Sequence, residues 1–472
     1  MIIQRVNFGR LDAESDRDLA DYFVDTGVLD RIANGQRHLV IGRKGSGKTA
    51  LFARTDEAKL KRPIQRLDFG NYSWEAHRKL KEEGVFSEAA YQGSWRFTFL
   101  MVMVDHLADN ADATTKKAAA AIRANLYGKD KPSWMEFLFD KFRRLRRLDL
   151  PEIEGMGGLG GIEFDENDDD RILATGLSRW SQSLLAFVKK HYPACPVSLF
   201  LDRLDDAWDA SEDSKALLIG ALKAAREINS TLGAKGSPAA VLVFLRTDIF
   251  DLLLFNDKMK MAQDIEYLDW DEDSLCEVLE ARIAKSLNIS KARAWDSAFS
   301  GDPMRQRATI RSYMTRRTMY RPRDMIRFAL CCQETASSAQ HQKVETIDVY
   351  DGESRYSQEM LDELIDEMHK QVTDAREILE VLREVESQRF KERDWLDAYA
   401  RRFPASTEGH AKAALGTLFE FSVVGVPKAG GRAGGTKFQF RYEDRLLRPN
   451  FTAQMVVHSG LKKVLSMKDR GA

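Results

Sequence analysis

Short apolar runs and longer stretches of helical spacing alternate along the first 270 residues. From Leu11 to Val28 the residues Leu19, Tyr22, Phe23 and Val24 recur at near-helical intervals, and Arg37-His-Leu-Val-Ile41 then reads as a short buried strand. A glycine-rich segment follows that strand directly. Thr49-Ala-Leu-Phe-Ala-Arg54 opens a helix, and Pro63 to Phe69 reads as a second strand. Further apolar runs at Val197–Asp202, Ala239–Leu245 and, more weakly, Asp264–Leu268 are separated by helical sequence, as a mainly parallel sheet requires. The expectation is an α/β nucleotide fold.

Residues 74–190 are mostly helical in pattern and read as a long insertion between core strands. Within it, Gly155-Met-Gly-Gly-Leu-Gly160 matches a dinucleotide loop by letter. The acidic run Asp165 to Asp170 follows where that site would need a helix, so a plain loop is expected there. Beyond 270, Leu275, Val278, Leu279 and Ile283 share one face of a helical stretch suited to a lid. From 362 the chain is helical up to Phe421. Val423-Val-Gly-Val-Pro427, the tip Gly430 to Gly435 and Thr436 to Tyr442 come next, so that helices precede a glycine-tipped hairpin and resemble a winged helix. The division expected is a core at 1–270 with its insertion, a helical lid at 271–361 and a winged-helix-like domain at 362–472.

With 472 residues, more than one core is expected. Seventy-two basic against seventy-three acidic side chains leave a formal charge of -1, so no global field favours nucleic acid or an anionic membrane. Cys195, Cys276, Cys331 and Cys332 form no CxxC pair, which argues against a zinc site or a disulfide framework. The N-terminus lacks a basic-then-apolar leader, and no apolar run approaches the roughly 18 residues of a spanning helix. A cytoplasmic address without a membrane partner is expected.

The chemistry concentrates in Gly42-Arg43-Lys44-Gly45-Ser46-Gly47-Lys48-Thr49, followed by Ala50. Glycines at this spacing let backbone N–H groups close around phosphate oxygens, with Lys48 reaching the β- and γ-phosphates and Thr49 ligating magnesium. Asp202, where an apolar strand stops, supplies the second magnesium-directed carboxylate, and Asp205 or Asp206 polarises the attacking water, Asp206 being preferred. Arg246 ends the next apolar run and is either a cation near the γ-phosphate or the partner of Asp248. Arg323, in Tyr320-Arg-Pro-Arg-Asp, either reaches the nucleotide from the lid or belongs to a helix start set by Pro322. The tail is locally basic, with Lys428, Arg432, Lys437, Arg441, Arg445, Arg448, Lys462, Lys463, Lys468 and Arg470.

Taken together, Phe8-Gly9, the Ile41–Phe52 segment, Phe200-Leu-Asp-Arg-Leu-Asp-Asp-Ala-Trp208, Phe244-Leu-Arg-Thr-Asp-Ile249, Leu268-Asp-Trp270, Arg321-Pro-Arg-Asp-Met-Ile326 and Val456-Val-His-Ser459 resemble bacterial P-loop ATPases. The likeness lies on the AAA+/STAND side of the ASCE fold, close to the FunZ-like group and not far from KAP-type ATPases. It implies a five-stranded parallel core with the P-loop strand central, a helical lid and a winged-helix-like C-terminal domain. ATP with Mg2+, an Asp202 magnesium role and an Arg246 sensor role are implied with it. The Asp-Glu pair usual in AAA+ proteins is absent, since Arg203 follows Asp202, which implies slow turnover. Two readings stay open: an ATP-driven switch in phage defence or mobile-element biology, working as a homo-oligomer or with a partner protein of the same operon, and an origin-recognition-like ATPase that grips DNA through its basic tail.

Overall fold

The computed structural model describes residues 1–69, 88–127, 181–206, 208–369, 372–428 and 437–469. The glycine segment at 155–160, the acidic run at 165–170, the hairpin tip at 430–435 with Arg432, and Arg470 lie outside these residues. Contacts divide the chain into two units. One comprises 27–42 and 51–268; the other comprises 1–26, 43–50 and 269–472.

The first unit holds five parallel strands: β1 (Leu39–Gly42), β2 (Ile64–Asp68), β3 (Ser198–Asp202), β4 (Val241–Arg246) and β5 (Ile265–Tyr267). Their order is β2-β3-β4-β1-β5. All residues of β1, β3 and β4 are buried, as strands flanked on both sides and covered on both faces must be, which is why their sequences are unbroken apolar runs. Edge strand β2 instead leaves Gln65, Arg66 and Asp68 exposed. The strand that leads into the glycine loop is internal, one place from the middle strand β4. Register sets Gly42 opposite Arg246 and Asp68 opposite Asp202. Because the strands are parallel, their carboxyl ends gather these charged residues along one edge of the sheet.

Helix Glu212–Leu232 starts where the Ser211 hydroxyl accepts from the Ser214 N–H at 3.1 Å, with Glu212 and Asp213 in its first turn. Helix Glu88–Asn110 packs against it. Gly220 makes the approach close: a Cβ there would lie 2.8 Å from the Tyr91 backbone. Trp95, Phe97, Phe99 and Met103 are almost wholly buried, each such side chain contributing about 1.5–3 kcal/mol.

In the second unit the helical spacing of Leu11–Val28 resolves into a helix of only Leu19–Tyr22, with a separate helix at Val28–Ala33 in the first unit. Two local features stop a longer helix. The Asp12 carboxylate accepts from the Ser15 N–H as a turn, and Gly27 takes a left-handed φ of 80°. The lid sequence forms helices Glu272–Leu287, Lys291–Ala298, Ile310–Thr315, Pro322–Ser338 and Thr346–His369. Leu275, Val278, Leu279 and Ile283 are buried together as their spacing predicts. Helix Ala375–Val385, β6 (Arg389–Phe390), helices Glu392–Arg402 and Glu408–Glu420, and then β7 (Val424–Pro427), β8 (Phe438–Gln439) and β9 (Met455–Val457) complete the unit. The expected hairpin is present, with Val426 opposite Gln439 in an antiparallel sheet of order β6-β9-β7-β8. One apolar core runs through this unit, from Ile3 and Phe8 through Leu279 and Phe328 to Leu418 and Met455.

Candidate nucleotide site

The loop Arg43–Gly47 continues β1 into helix Lys48–Arg54. Gly45 and Gly47 take φ values of 79° and 97°, a region that other L-residues rarely enter. A Cβ on Gly45 would also press on the Cβ of Arg323 at 3.1 Å. Lys48 Nζ donates to the Arg43 carbonyl at 3.2 Å, curling the side chain over its own loop. The Ser46 hydroxyl is buried and has no hydrogen-bond partner among the described residues. An orphaned buried hydroxyl, left-handed glycines and a lysine folded over the loop suit a phosphate group, which would satisfy the hydroxyl and draw the ammonium. Thr49 and Ala50 are half-buried at the helix start.

Side chains of the helical unit hold this loop from behind its carbonyls. Lys44 O accepts from Arg321 Nη1 at 3.3 Å, Gly45 O from the Arg323 N–H at 3.4 Å and Ser46 O from Trp270 Nε1 at 2.9 Å. Arg43 does not offer its side chain to a ligand. It donates to the Met319 carbonyl and its guanidinium lies 4.9 Å from the Tyr442 ring centroid, leaving only its backbone for phosphate. Burial, with the Arg321 charge beside it, lowers its pKa to about 10, so it stays cationic at neutral pH. Lys44 Nζ lies 3.9 Å from Glu363.

Arg321 sits at the centre of a buried ion cluster. It makes a two-pronged pair with Asp324 at 2.8 and 3.0 Å and a bond to Glu367 at 2.8 Å. Glu363 takes Arg323 at 3.1 Å and also pairs with Arg327. Burial alone would push the Glu363 carboxyl up, but the Arg321, Arg327 and Arg323 charges outweigh it and hold the pKa at about 2. Arg323 is thus tied to Glu363 and to the Leu11 carbonyl at 3.2 Å, and Pro322 occupies the first turn of its helix. Sequence reading missed Glu363 and Glu367. Their signal was there: two carboxylates one helical turn apart, in a chain that also opens a helix with Arg-Pro-Arg.

The sheet edge is arranged differently. Asp202 ends β3 nearly fully buried. Arg203, at a left-handed φ of 62°, turns back to pair with Asp206 at 2.7 Å and lies 3.8 Å from Asp68. Asp206 is therefore engaged and partly exposed, whereas Asp205 is buried 3.8 Å from Arg246. Arg246 holds Asp248 through two bonds of 2.6 and 3.1 Å. The strands bring Asp202, Asp205 and Arg246 to one edge. No group of three or more His, Cys, Asp or Glu able to hold a metal by itself occurs among the described residues.

Five of the eight described basic residues of the tail are paired with carboxylates. Arg441 pairs with Glu420, Arg445 with Asp269, Lys462 with Asp469, Lys463 with Glu353 and Lys468 with Glu386. No helix among the described residues is long and apolar enough to cross a membrane.

Five parallel strands in this order, with a glycine loop running from an internal strand into a helix, define the P-loop NTPase fold. Residues 273–365 match the family model of the FunZ-associated C-terminal helical domain, and the resemblance to FunZ-like P-loop ATPases is borne out. A putative transposon gamma-delta 80.3 kDa protein of Escherichia coli K12 is 24% identical over 340 residues, covering 68% of this chain. The match takes in 45% of that protein, so the chain spans less than half the length of this relative. Among solved structures, a Walker-type ATPase of Pyrococcus abyssi is 11% identical, covering 93% of this chain and 97% of that one, with a TM-score of 0.40. The ORC2 protein of Aeropyrum pernix is 12% identical, covering 96% and 98%, with a TM-score of 0.37. Strand order and loop geometry in this chain, and not overlays this loose, define the class.

Proposed function

We propose that this chain binds ATP with magnesium at Gly42–Thr49, hydrolyses it slowly, and uses nucleotide state to control association with its own copies or with a partner protein. The observation that carries the reading is the loop itself: left-handed Gly45 and Gly47, the orphaned Ser46 hydroxyl and Lys48 poised above, at the end of an internal parallel strand. Backbone N–H groups and Lys48 would bind the phosphates, and Thr49 and Asp202 are the residues that would hold magnesium, which would supply charge neutralisation there. Asp205 replaces Asp206 as the preferred general base, because Arg203 engages Asp206 while Asp205 lies beside Arg246. Arg246 would exchange Asp248 for the γ-phosphate.

The switch reading is favoured over a DNA grip for two reasons. Loop carbonyls are bonded to Arg321, Arg323 and Trp270, so a shift of the loop is felt in the helices. Five of the tail's cations, Arg441, Arg445, Lys462, Lys463 and Lys468, are meanwhile paired with carboxylates. The biological setting proposed is a mobile element or a phage-defence locus in the cytoplasm, the first supported by the likeness to a transposon protein. Phosphate release by wild type, Lys48→Ala and Asp205→Asn, with and without duplex DNA, tests this alongside light scattering. Expected are no ATP turnover by Lys48→Ala, binding without turnover by Asp205→Asn, and a mass change on ATP that DNA does not alter. Undiminished ATP turnover by Lys48→Ala would sink the reading, and turnover raised by DNA would favour the DNA-gripping one.

A further inference from the structure

A second charged cleft lies wholly within the helical unit, lined by the Arg305–Arg317 stretch, the start of helix Thr346–His369, the approach to β6 and the segment Ser459–Asp469. Its volume is about 810 Å3, within the range of small-ligand pockets. The lining carries Arg305, Arg316, Arg317, Arg389, Lys462 and Lys463 against three carboxylates. Two of those carboxylates are already spent. Glu353, almost fully buried, accepts from the Tyr313 hydroxyl at 2.7 Å and from Arg317 Nε at 2.5 Å, and lies 3.4 Å from Lys463. Asp469 pairs with Lys462. Arg305, Arg316 and Arg389 have no carboxylate partner within 4.0 Å among the described residues, and all three are exposed.

These cations are presented, not merely tolerated. The Arg305 guanidinium lies 5.1 Å from the Tyr350 ring centroid, and its backbone N–H donates to the Tyr350 hydroxyl at 2.7 Å. Arg389 lies 5.4 Å from the Phe438 centroid. Stacking of this kind fixes the plane of a guanidinium while leaving its N–H fork for an oxyanion. Just after Arg305, Gln306 and Arg307 take left-handed φ values of 60° and 59°, a strained pair of the sort found at ligand-binding loops.

We propose that this cleft binds a compact polyphosphate, a small molecule bearing two or more linked phosphates, at a site separate from the loop Gly42–Thr49. Several guanidiniums converging on one concavity match several oxyanions held close together, each pair forming charge-assisted and often two-pronged bonds. A nucleic-acid backbone would need an extended basic stripe. The flanking cations Arg441 and Lys468 are instead bonded to Glu420 and Glu386. A ligand held here touches both the FunZ-associated helices and the segment after β9.

Calorimetric titration of the full chain with inorganic tripolyphosphate tests the site. The Lys48→Ala chain, crippled at the loop, should still bind it. Adding Arg316→Gln and Arg389→Gln should weaken that binding at least about tenfold, because two multidentate partners are lost, while Arg316→Lys with Arg389→Lys should stay within about threefold. Unchanged ATP turnover by Arg316→Gln/Arg389→Gln in the otherwise wild-type chain controls for folding; should that variant misfold, Arg305→Gln is read in its place. No tripolyphosphate binding by Lys48→Ala, or equal binding after the glutamine substitutions, overturns the proposal. So does displacement of tripolyphosphate by duplex DNA at lower phosphate concentration, which would reassign the cleft to nucleic acid.

Discussion

The Arg203 turn at the carboxyl edge of the sheet and the ion cluster behind the glycine loop are built from the same side chains, arginine and acid, yet the two handle charge in opposite ways. In the cluster, Arg321 and Asp324 are at most 1% exposed and Arg321 makes four hydrogen bonds, to Asp324, Glu367 and the Lys44 carbonyl. At the sheet edge, Asp206 and Asp68 stand 37% and 52% exposed and share Arg203. A charge buried among fixed partners has lost its water and depends on those partners; a charge at an open edge keeps its water and can change partners cheaply. Residue type therefore does not tell a structural arginine from a chemical one. Burial and partner number do.

Four experiments press on that contrast. The largest effect belongs to the edge: Asp205→Asn should slow ATP turnover about 10²–10⁴-fold, the usual weight of a general base. Asp206→Asn should cost turnover much less; a larger loss there would return the base to Asp206. In the cluster the effect moves from activity to stability. Arg321→Met strips the partner from two buried carboxylates and should destabilise the helical unit by about 3–5 kcal/mol, seen as a lower unfolding midpoint; a shift near zero would mean the cluster is not structural.

Acid should also weaken the helical unit. Burial holds the His458 imidazole neutral, with its pKa lowered from 6.5 to about 3, while the unfolded chain takes up that proton near 6.5. Stability is thus full above about pH 6.5 and declines as pH falls from there towards 3. Glu363 adds a second loss as pH falls from about 4.5 towards 2, because its folded pKa is the depressed one. Urea midpoints between pH 7.5 and 4.5 should fall for wild type and fall less for His458→Asn; parallel curves would exonerate His458. The smallest effect returns to the edge. Breaking the partly exposed Arg203–Asp206 pair with Arg203→Gln should change stability by only about 0–1 kcal/mol.

The sheet was legible because its signals are local. Val197–Asp202 and Ala239–Leu245 are apolar without interruption, and a strand buried on both faces needs nothing more than that. The glycine loop was legible for a similar reason, its spacing and the flanking strand and helix being continuous in sequence. Leu11–Val28 misled because apolar spacing says nothing of Gly27 or of the Asp12 turn. The proposed preference for Asp205 over Asp206 was invisible, since it rests on where Arg203 turns and on Arg246 lying alongside Asp205.

By itself the sequence determined the class of this protein: a phosphate-binding loop after a buried strand, further core strands, a helical stretch and a hairpin-bearing tail. Only the tertiary structure decided which charges meet. Arg321 reaches the Lys44 carbonyl across 277 residues of chain, and Arg43 leaves the loop's ligand side for Tyr442. Periodicity and glycine spacing are written within a few turns of backbone. The pairing of buried charges is settled by long-range packing, through the cost of leaving any of them unpaired.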